Sequence, residues 1–231
     1  MANAIAWLRT ILFRVVFYTL SVPVVGTVPI SALFGRAAVI RHSSFWSRMQ
    51  APLARWILGI RVWEVGTRPV GPVLFAAKHQ EMVETLELQW RLGAPAMVIK
   101  EELSRIPILG WAARKYGALI VDREGSATAL RKMLREAKEA VAAGRSIQIY
   151  PEGTRTVPGQ QPPLQAGFAG LYRMLNLPVV PIALDPGMLL PKKGAKHPGV
   201  VTILYGDAIP PGLPREEIEE RVHAAINVLD R

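Results

Sequence analysis

A chain of 231 residues can bury a real core without staples, as one domain of ordinary size with room for a small appendage. It has no cysteine, which excludes disulfides, thiolate metal sites and a cysteine nucleophile and is compatible with a reducing compartment. The formal charge of +10 points to an anionic partner, with nucleic acid and anionic lipid as the two candidates.

That charge is uneven. Residues 1–70 carry Arg9, Arg14, Arg36, Arg41, Arg48, Arg55, Arg61 and Arg68 against a single acid, Glu64. The same stretch is the most apolar part of the chain. Arginine mixed with Trp, Phe, Leu and Val reads as membrane-surface binding more than nucleic-acid binding. The plain alternative is a solvated basic face on a helical subdomain.

Within it, residues 15–34 carry no charge over twenty positions, about the length that spans a bilayer. Pro23, Gly26 and Pro29 interrupt the run, and proline removes a backbone donor and kinks a helix. A kinked span, a re-entrant hairpin, an interfacial helix and a buried core helix all fit this pattern. Arg9 and Arg14 precede it and favour a cytoplasmic N-terminus. A cleaved signal peptide fits less well, because the run is long and no clear A-x-A site ends it.

Residues 43–58 follow helical spacing, with Phe45, Trp46, Met49, Leu53, Trp56 and Ile57 on one side. We divide the chain there, into an N-terminal helical membrane-anchoring region (1–58) and an α/β domain (59–231). Short apolar, β-branched runs then predict strands at 60–65, 73–77, 96–99, 118–121, 146–150, 179–184 and 200–205. Helical patterns fall between several of them. The clearest covers 125–143, with Leu130, Leu134, Ala137 and Val141 in register and Gly144 placed to end it. The last, over 215–229, gathers Glu216, Glu217, Glu219 and Glu220 in its first turns, where the helix dipole favours acids. This alternation predicts the α/β fold class: a mixed, largely parallel sheet flanked by helices, behind an N-terminal membrane-associated helical segment. The Pro-, Gly- and Lys-rich loops 156–165 and 185–199 are expected to be mobile or lipid-facing.

The chemistry-bearing residues sit at predicted strand ends, where open α/β sheets bind ligands. His79 follows the strand at 73–77 within Lys78-His79-Gln80-Glu81-Met82-Val83-Glu84-Thr85. A neutral imidazole can accept a proton near pH 7, and a carboxylate on its other nitrogen fixes the tautomer and stabilises the imidazolium. Glu84 lies five residues on, about 140° around a regular helix from His79. The two meet only if His79 stays in the loop before the helix and Glu84 reaches back from its first turns. Glu81 is a rival partner whose spacing is less favourable.

Gly117-Ala118-Leu119-Ile120-Val121-Asp122-Arg123 places an arginine just past another strand, and Lys100 ends the strand at 96–99. Arginine suits bidentate phosphate recognition, whereas lysine acts as a point charge. The plain reading of Arg123 is an ion pair with Asp122 or Glu124. The run Tyr150-Pro151-Glu152-Gly153-Thr154-Arg155 follows the strand at 146–150. Gly153 permits a tight turn, and such a turn can present backbone N–H groups and Arg155 to an anion. His42, His197 and His223 are scattered without ligand spacing, so no metal is expected. There is no G-x-S-x-G elbow for a serine nucleophile.

Taken together, these blocks resemble the glycerolipid acyltransferases of the 1-acylglycerol-3-phosphate acyltransferase family over residues 70–185. The match at Pro151–Arg155 is complete. Val179-Val180-Pro181-Ile182-Ala183 resembles the family's fourth block. The histidine block departs from the family, which has aspartate where this chain has Glu84. The resemblance implies His79 and Glu84 as the catalytic pair. It implies Arg123 as a phosphate anchor, with Lys100 beside it, and an acceptor site at Glu152, Gly153, Thr154 and Arg155. It implies transfer of an acyl group to 1-acylglycerol 3-phosphate, giving phosphatidic acid. The donor would be a thioester of coenzyme A or acyl carrier protein, used as co-substrate, with no bound cofactor. The expected partners are the lysophospholipid, the acyl donor and anionic membrane lipid, not nucleic acid. The expected location is a membrane, the bacterial inner membrane, with the site facing the cytoplasm. Rival readings change the acceptor to glycerol 3-phosphate or a lyso-aminolipid, or make the chain a catalytically weak membrane-binding protein on the same fold.

Overall fold

The computed structural model describes residues 2–121 and 127–230. The N-terminal run forms helix α1 (Ala2–Gly26), which continues through Pro23, followed by the short α2 (Val28–Leu33). The stretch Asn3–Leu33 is long and apolar enough to cross a membrane, and only 22% of its most apolar window is buried. That exposure separates it from an ordinary core helix. One face is nonetheless used inside the protein: Phe13 and Phe17 pack with Leu58, Ile60, Val83, Leu86 and Leu190. The outward face shows Leu8, Ile11, Leu12, Val15 and Tyr18 to solvent.

Helix α3 (Arg36–Leu53) runs on into a π-helical turn (Ala54–Leu58) that Gly59 ends in the left-handed region. Strands follow as β1 (Ile60–Val65), β2 (Leu74–Ala77), β3 (Ala96–Lys100), β4 (Leu119–Val121), β5 (Ile147–Ile149), β6 (Val179–Leu184) and β7 (Gly199–Tyr205). Between them lie α4 (Val83–Arg91), α5 (Glu101–Ser104), α6 (Leu109–Tyr116), α7 (Ala127–Ala142) and α8 (Ala166–Leu175), and α9 (Arg215–Ile226) comes last.

All seven strands form one sheet in the order β1-β7-β6-β2-β5-β3-β4. Strands β6, β2, β5, β3 and β4 pair in parallel. Strand β7 is antiparallel to β6 and parallel to β1, so these two run the other way. The sheet is thus mixed and largely parallel, as the alternation predicts. Burial follows position. The central β2 and β6 are buried at every residue, whereas edge strand β1 alternates and exposes Trp63. One face of the sheet carries α7, α8 and α9 through Met133, Leu134, Phe168, Leu171, Ile218 and Val222. On the other, Val73, Phe75 and Ala77 pack with Leu88 of α4.

The loop at 185–199 differs from its expectation in part. It opens with a 3-10 turn (Pro186–Met188) and buries Leu190, Ala195 and Lys196 against the body of the protein. The backbone N–H of Lys196 donates to Thr10 Oγ1 on α1 at 2.8 Å.

Candidate active site

Strand β2 lies in the middle of the sheet, and Lys78 N extends its pairing with β6 by donating to Ile182 O at 2.9 Å. His79 is the next residue. It sits in the loop, four positions before α4 begins, and Glu84 lies in that helix's first turn. The carboxylate reaches back: Glu84 Oε1 accepts from His79 Nδ1 at 2.9 Å, from Gln80 N at 2.8 Å and from Glu81 N at 2.7 Å. This strand–loop–helix geometry brings together two residues that a continuous helix would hold apart. One oxygen serves three donors, so the carboxylate that faces the imidazole also fixes the loop carrying it. Glu84 is 2% exposed. His79 Nε2 has no hydrogen-bond partner among the described residues, and its side chain is 19% exposed, so that nitrogen is open to a ligand.

The loop after β5, the strand next to β2, closes over this histidine. Tyr150 stacks on the imidazole with ring centroids 4.0 Å apart and planes 22° from parallel. Its hydroxyl donates to Thr85 Oγ1 at 3.2 Å and accepts from Gln148 Nε2 at 3.1 Å. Burial, and then the neighbouring Glu84 charge, push the phenol well above its ordinary value, so it stays neutral. The stacking role was not read from the sequence, although Tyr150 stands at the start of the Pro-Glu-Gly-Thr-Arg block.

Glu152 turns inward. Its side chain is fully buried, with Oε2 accepting from His79 N at 2.8 Å and Oε1 lying 2.9 Å from Lys78 Nζ. Gly153 takes φ +70°, the left-handed turn that its lack of a side chain permits, and its N–H is committed to Tyr150 O at 3.0 Å. Thr154 and Arg155 are exposed. Arg155 Nη1 approaches Glu81 Oε2 at 3.9 Å, and Lys196 Nζ approaches the other oxygen of Glu81 at 3.4 Å. Glu81, the rival partner by sequence, therefore faces two cations rather than the imidazole. Thr156 completes the loop by donating from both N (2.7 Å) and Oγ1 (3.1 Å) to His79 O.

Of the remaining expected site residues, Lys100 is exposed at the carboxyl end of β3, the strand beside β5, and pairs with no acid among the described residues. Arg123 lies outside the described residues. Sequence reasoning missed Thr156 and Lys196 as members of this cluster. Both act across sequence separations that no local pattern reveals.

An imidazole with one nitrogen fixed by a buried carboxylate and the other open can take a proton from a hydroxyl. Arg155, exposed on the loop whose Tyr150 stacks on this histidine, carries a positive charge of a kind that suits an anionic group.

A family model described as Acyltransferase matches residues 60–185, which include every residue of this cluster except Lys196. The 1-acyl-sn-glycerol-3-phosphate acyltransferase of Pseudomonas aeruginosa is 34% identical over 167 residues, covering 71% of this chain and 65% of that protein. A 1-acyl-sn-glycerol-3-phosphate acyltransferase of Chlamydomonas reinhardtii is 28% identical over 162 residues, covering 68% of this chain and 48% of that protein. The chain thus spans less than two thirds of the length of these relatives. In fold, it is similar to the crystal structure of the 1-acyl-sn-glycerophosphate (LPA) acyltransferase PlsC from Thermotoga maritima. The TM-score is 0.74 over 97% of each chain, at 22% identity. With more than half of its length matched by the family model, the chain belongs to the acyltransferase family.

Proposed function

We propose that this protein acylates the free hydroxyl of 1-acylglycerol 3-phosphate, forming phosphatidic acid. The observation that carries this function is the His79 Nδ1–Glu84 Oε1 contact of 2.9 Å, with Nε2 left without a partner among the described residues. The names of the relatives support the choice of acceptor. In the reaction, the acceptor oxygen attacks the thioester carbonyl while His79 Nε2 takes the hydroxyl proton. The tetrahedral intermediate collapses, the carbon–sulfur bond breaks, and the departing thiolate receives the proton from the imidazolium. Glu84 stabilises that imidazolium and keeps Nδ1 protonated in the resting state. Arg155 holds the acceptor phosphate, with Lys100 and Arg123 as further anchors, and Thr154 lines the same opening. Glu152 and Gly153 shape the loop. Orientation of the bound hydroxyl against Nε2 supplies much of the rate.

The donor is an acyl thioester of coenzyme A or acyl carrier protein, acting as co-substrate. The protein works at a membrane, the bacterial inner membrane, with its site on the cytoplasmic side. Support comes from the exposed apolar face of α1 and from Arg9 and Arg14, which suit anionic headgroups.

A labelled acyl thioester offered with 1-acylglycerol 3-phosphate, glycerol 3-phosphate or a lyso-aminolipid tests this function. Labelled phosphatidic acid from the first acceptor is the expected product. Transfer only to another acceptor would overturn the substrate, and transfer to none would overturn the activity.

A further inference from the structure

Lys78 precedes His79 and is 0% exposed. An ammonium so far from water is costly unless it is surrounded by compensating oxygens. Four surround this one. Lys78 Nζ donates to Asn227 Oδ1 at 2.6 Å and to Gln160 O at 2.8 Å, and it lies 2.9 Å from both Glu152 Oε1 and Asp230 Oδ2. Two of the four oxygens come from the segment beyond α9, some 150 residues away in the chain. That segment is anchored, because Ile218, Val222 and Ile226 of α9 are buried in the same cluster as Leu74 and Ala76 of β2.

The carboxylate of Asp230 also ties two loops together. Its Oδ1 accepts from Gly159 N at 2.8 Å and from Gln80 Nε2 at 3.1 Å. Gln80 Oε1 in turn accepts from Gly187 N at 2.9 Å. A continuous relay follows: Asn227 and Asp230 grip Lys78, Lys78 sets Glu152, and Glu152 Oε2 receives the backbone N–H of His79 at 2.8 Å.

A buried ionic cluster is weak ground for stability, since apolar residues of similar volume often serve as well. It does impose direction, which apolar packing does not. We propose that Lys78, Asn227 and Asp230 are positioning residues for the acyl-transfer base, holding the His79 loop in register through Glu152. This inference rests on His79 being that base. Misplacing a reacting group by about 1 Å can cost about a hundredfold in rate, so loosening the relay lowers turnover.

The test compares wild type with Asp230→Asn. The amide keeps an oxygen for Gly159 N and Gln80 Nε2, and in place of the oxygen facing Lys78 it sets an uncharged NH2 donor, so both the charge and the acceptor at that position are lost. Two readouts are taken on the full chain in detergent: turnover at saturating thioester and 1-acylglycerol 3-phosphate, and amide hydrogen exchange at residues 79–81. The expected result is a fall in kcat of about tenfold or more, with KM for the thioester within about twofold. Exchange at 79–81 should rise about tenfold while residues 74–77 stay protected. Wild-type exchange at 79–81 overturns the proposal, as does a loss of kcat that only tracks the fraction unfolded. If wild type itself transfers no acyl group, the proposed function falls, and the exchange readout still decides whether the relay holds the loop. Asn227→Ala, which removes one uncharged acceptor from Lys78, serves as the second variant if Asp230→Asn does not fold, with the same readouts and the same overturning results.

Discussion

The backbone N–H of His79 donates to Glu152 Oε2 at 2.8 Å, so the glutamate of one sequence block braces the histidine of another, 73 residues apart. Thr156 N holds the carbonyl of the same residue at 2.7 Å. The loop after β5 therefore grips the His79 peptide from both sides. The side chain is left to Glu84 and Tyr150.

Glu152→Ala removes one partner of a buried ion pair and leaves Lys78 undercompensated. It should destabilise the protein by about 3–5 kcal/mol. Denaturant unfolding in detergent measures this, and a cost near that of an ordinary surface substitution would mean the pair is not formed.

Glu84→Gln keeps an oxygen for the Gln80 and Glu81 amides but loses the charge that stabilises an imidazolium. The fold should persist while kcat falls by about 10²–10⁴. Circular dichroism together with steady-state turnover separates the two effects. Turnover near wild type in a folded Glu84→Gln would remove the carboxylate from the mechanism.

Arg155→Ala should raise KM for the acceptor by about 10–100-fold, the scale of one lost charged hydrogen bond, with a much smaller effect on KM for the thioester. Arg155→Lys should recover part of the loss, since it restores the charge without the planar fork. An unchanged acceptor KM in Arg155→Ala would place the phosphate elsewhere.

Tyr150 gives a pH prediction. Its phenol ionises less readily in the folded protein than at its ordinary value of 10.0, through burial and the Glu84 charge. The folded state therefore keeps a proton that the unfolded chain loses above that pH, and stability declines as pH rises past it. Tyr150→Phe should lessen this alkaline decline without abolishing it, because burial also raises the phenols of Tyr116 and Tyr205, and should leave the pH–rate profile below pH 10 in place. Melting temperatures of the two proteins across the alkaline range check the sign. A wild-type stability that does not fall relative to Tyr150→Phe would contradict the neutral, buried phenol.

Much of this architecture is legible in the sequence because its signals are local. Each of the seven strands coincides with a short β-branched run, and α7 and α9 follow their apolar spacing. The turn at Gly153 is equally local, since only a residue without a side chain adopts φ +70° at little cost. The reversed direction of β1 and β7 is not local, because their runs look like any others and direction is set by which strand they join. The burial of Lys78 is hidden for the same reason. A lysine in a loop reads as exposed until Asn227 and Asp230 arrive from the far end of the chain. Glu152 belongs to a block that reads as an acceptor site, yet its side chain is committed to Lys78 and His79. The helical run through Pro23 also departs from local expectation. A proline there breaks α1 less than its chemistry suggests, and the helix ends three residues later at Gly26.

The most direct measurement is acyl transfer from labelled thioester to 1-acylglycerol 3-phosphate by wild type and His79→Ala at equal membrane abundance. An imidazole acting as base predicts labelled phosphatidic acid from wild type and a loss of about 10²-fold or more in the variant. Full activity in His79→Ala would contradict the base assignment, whatever acceptor the protein uses.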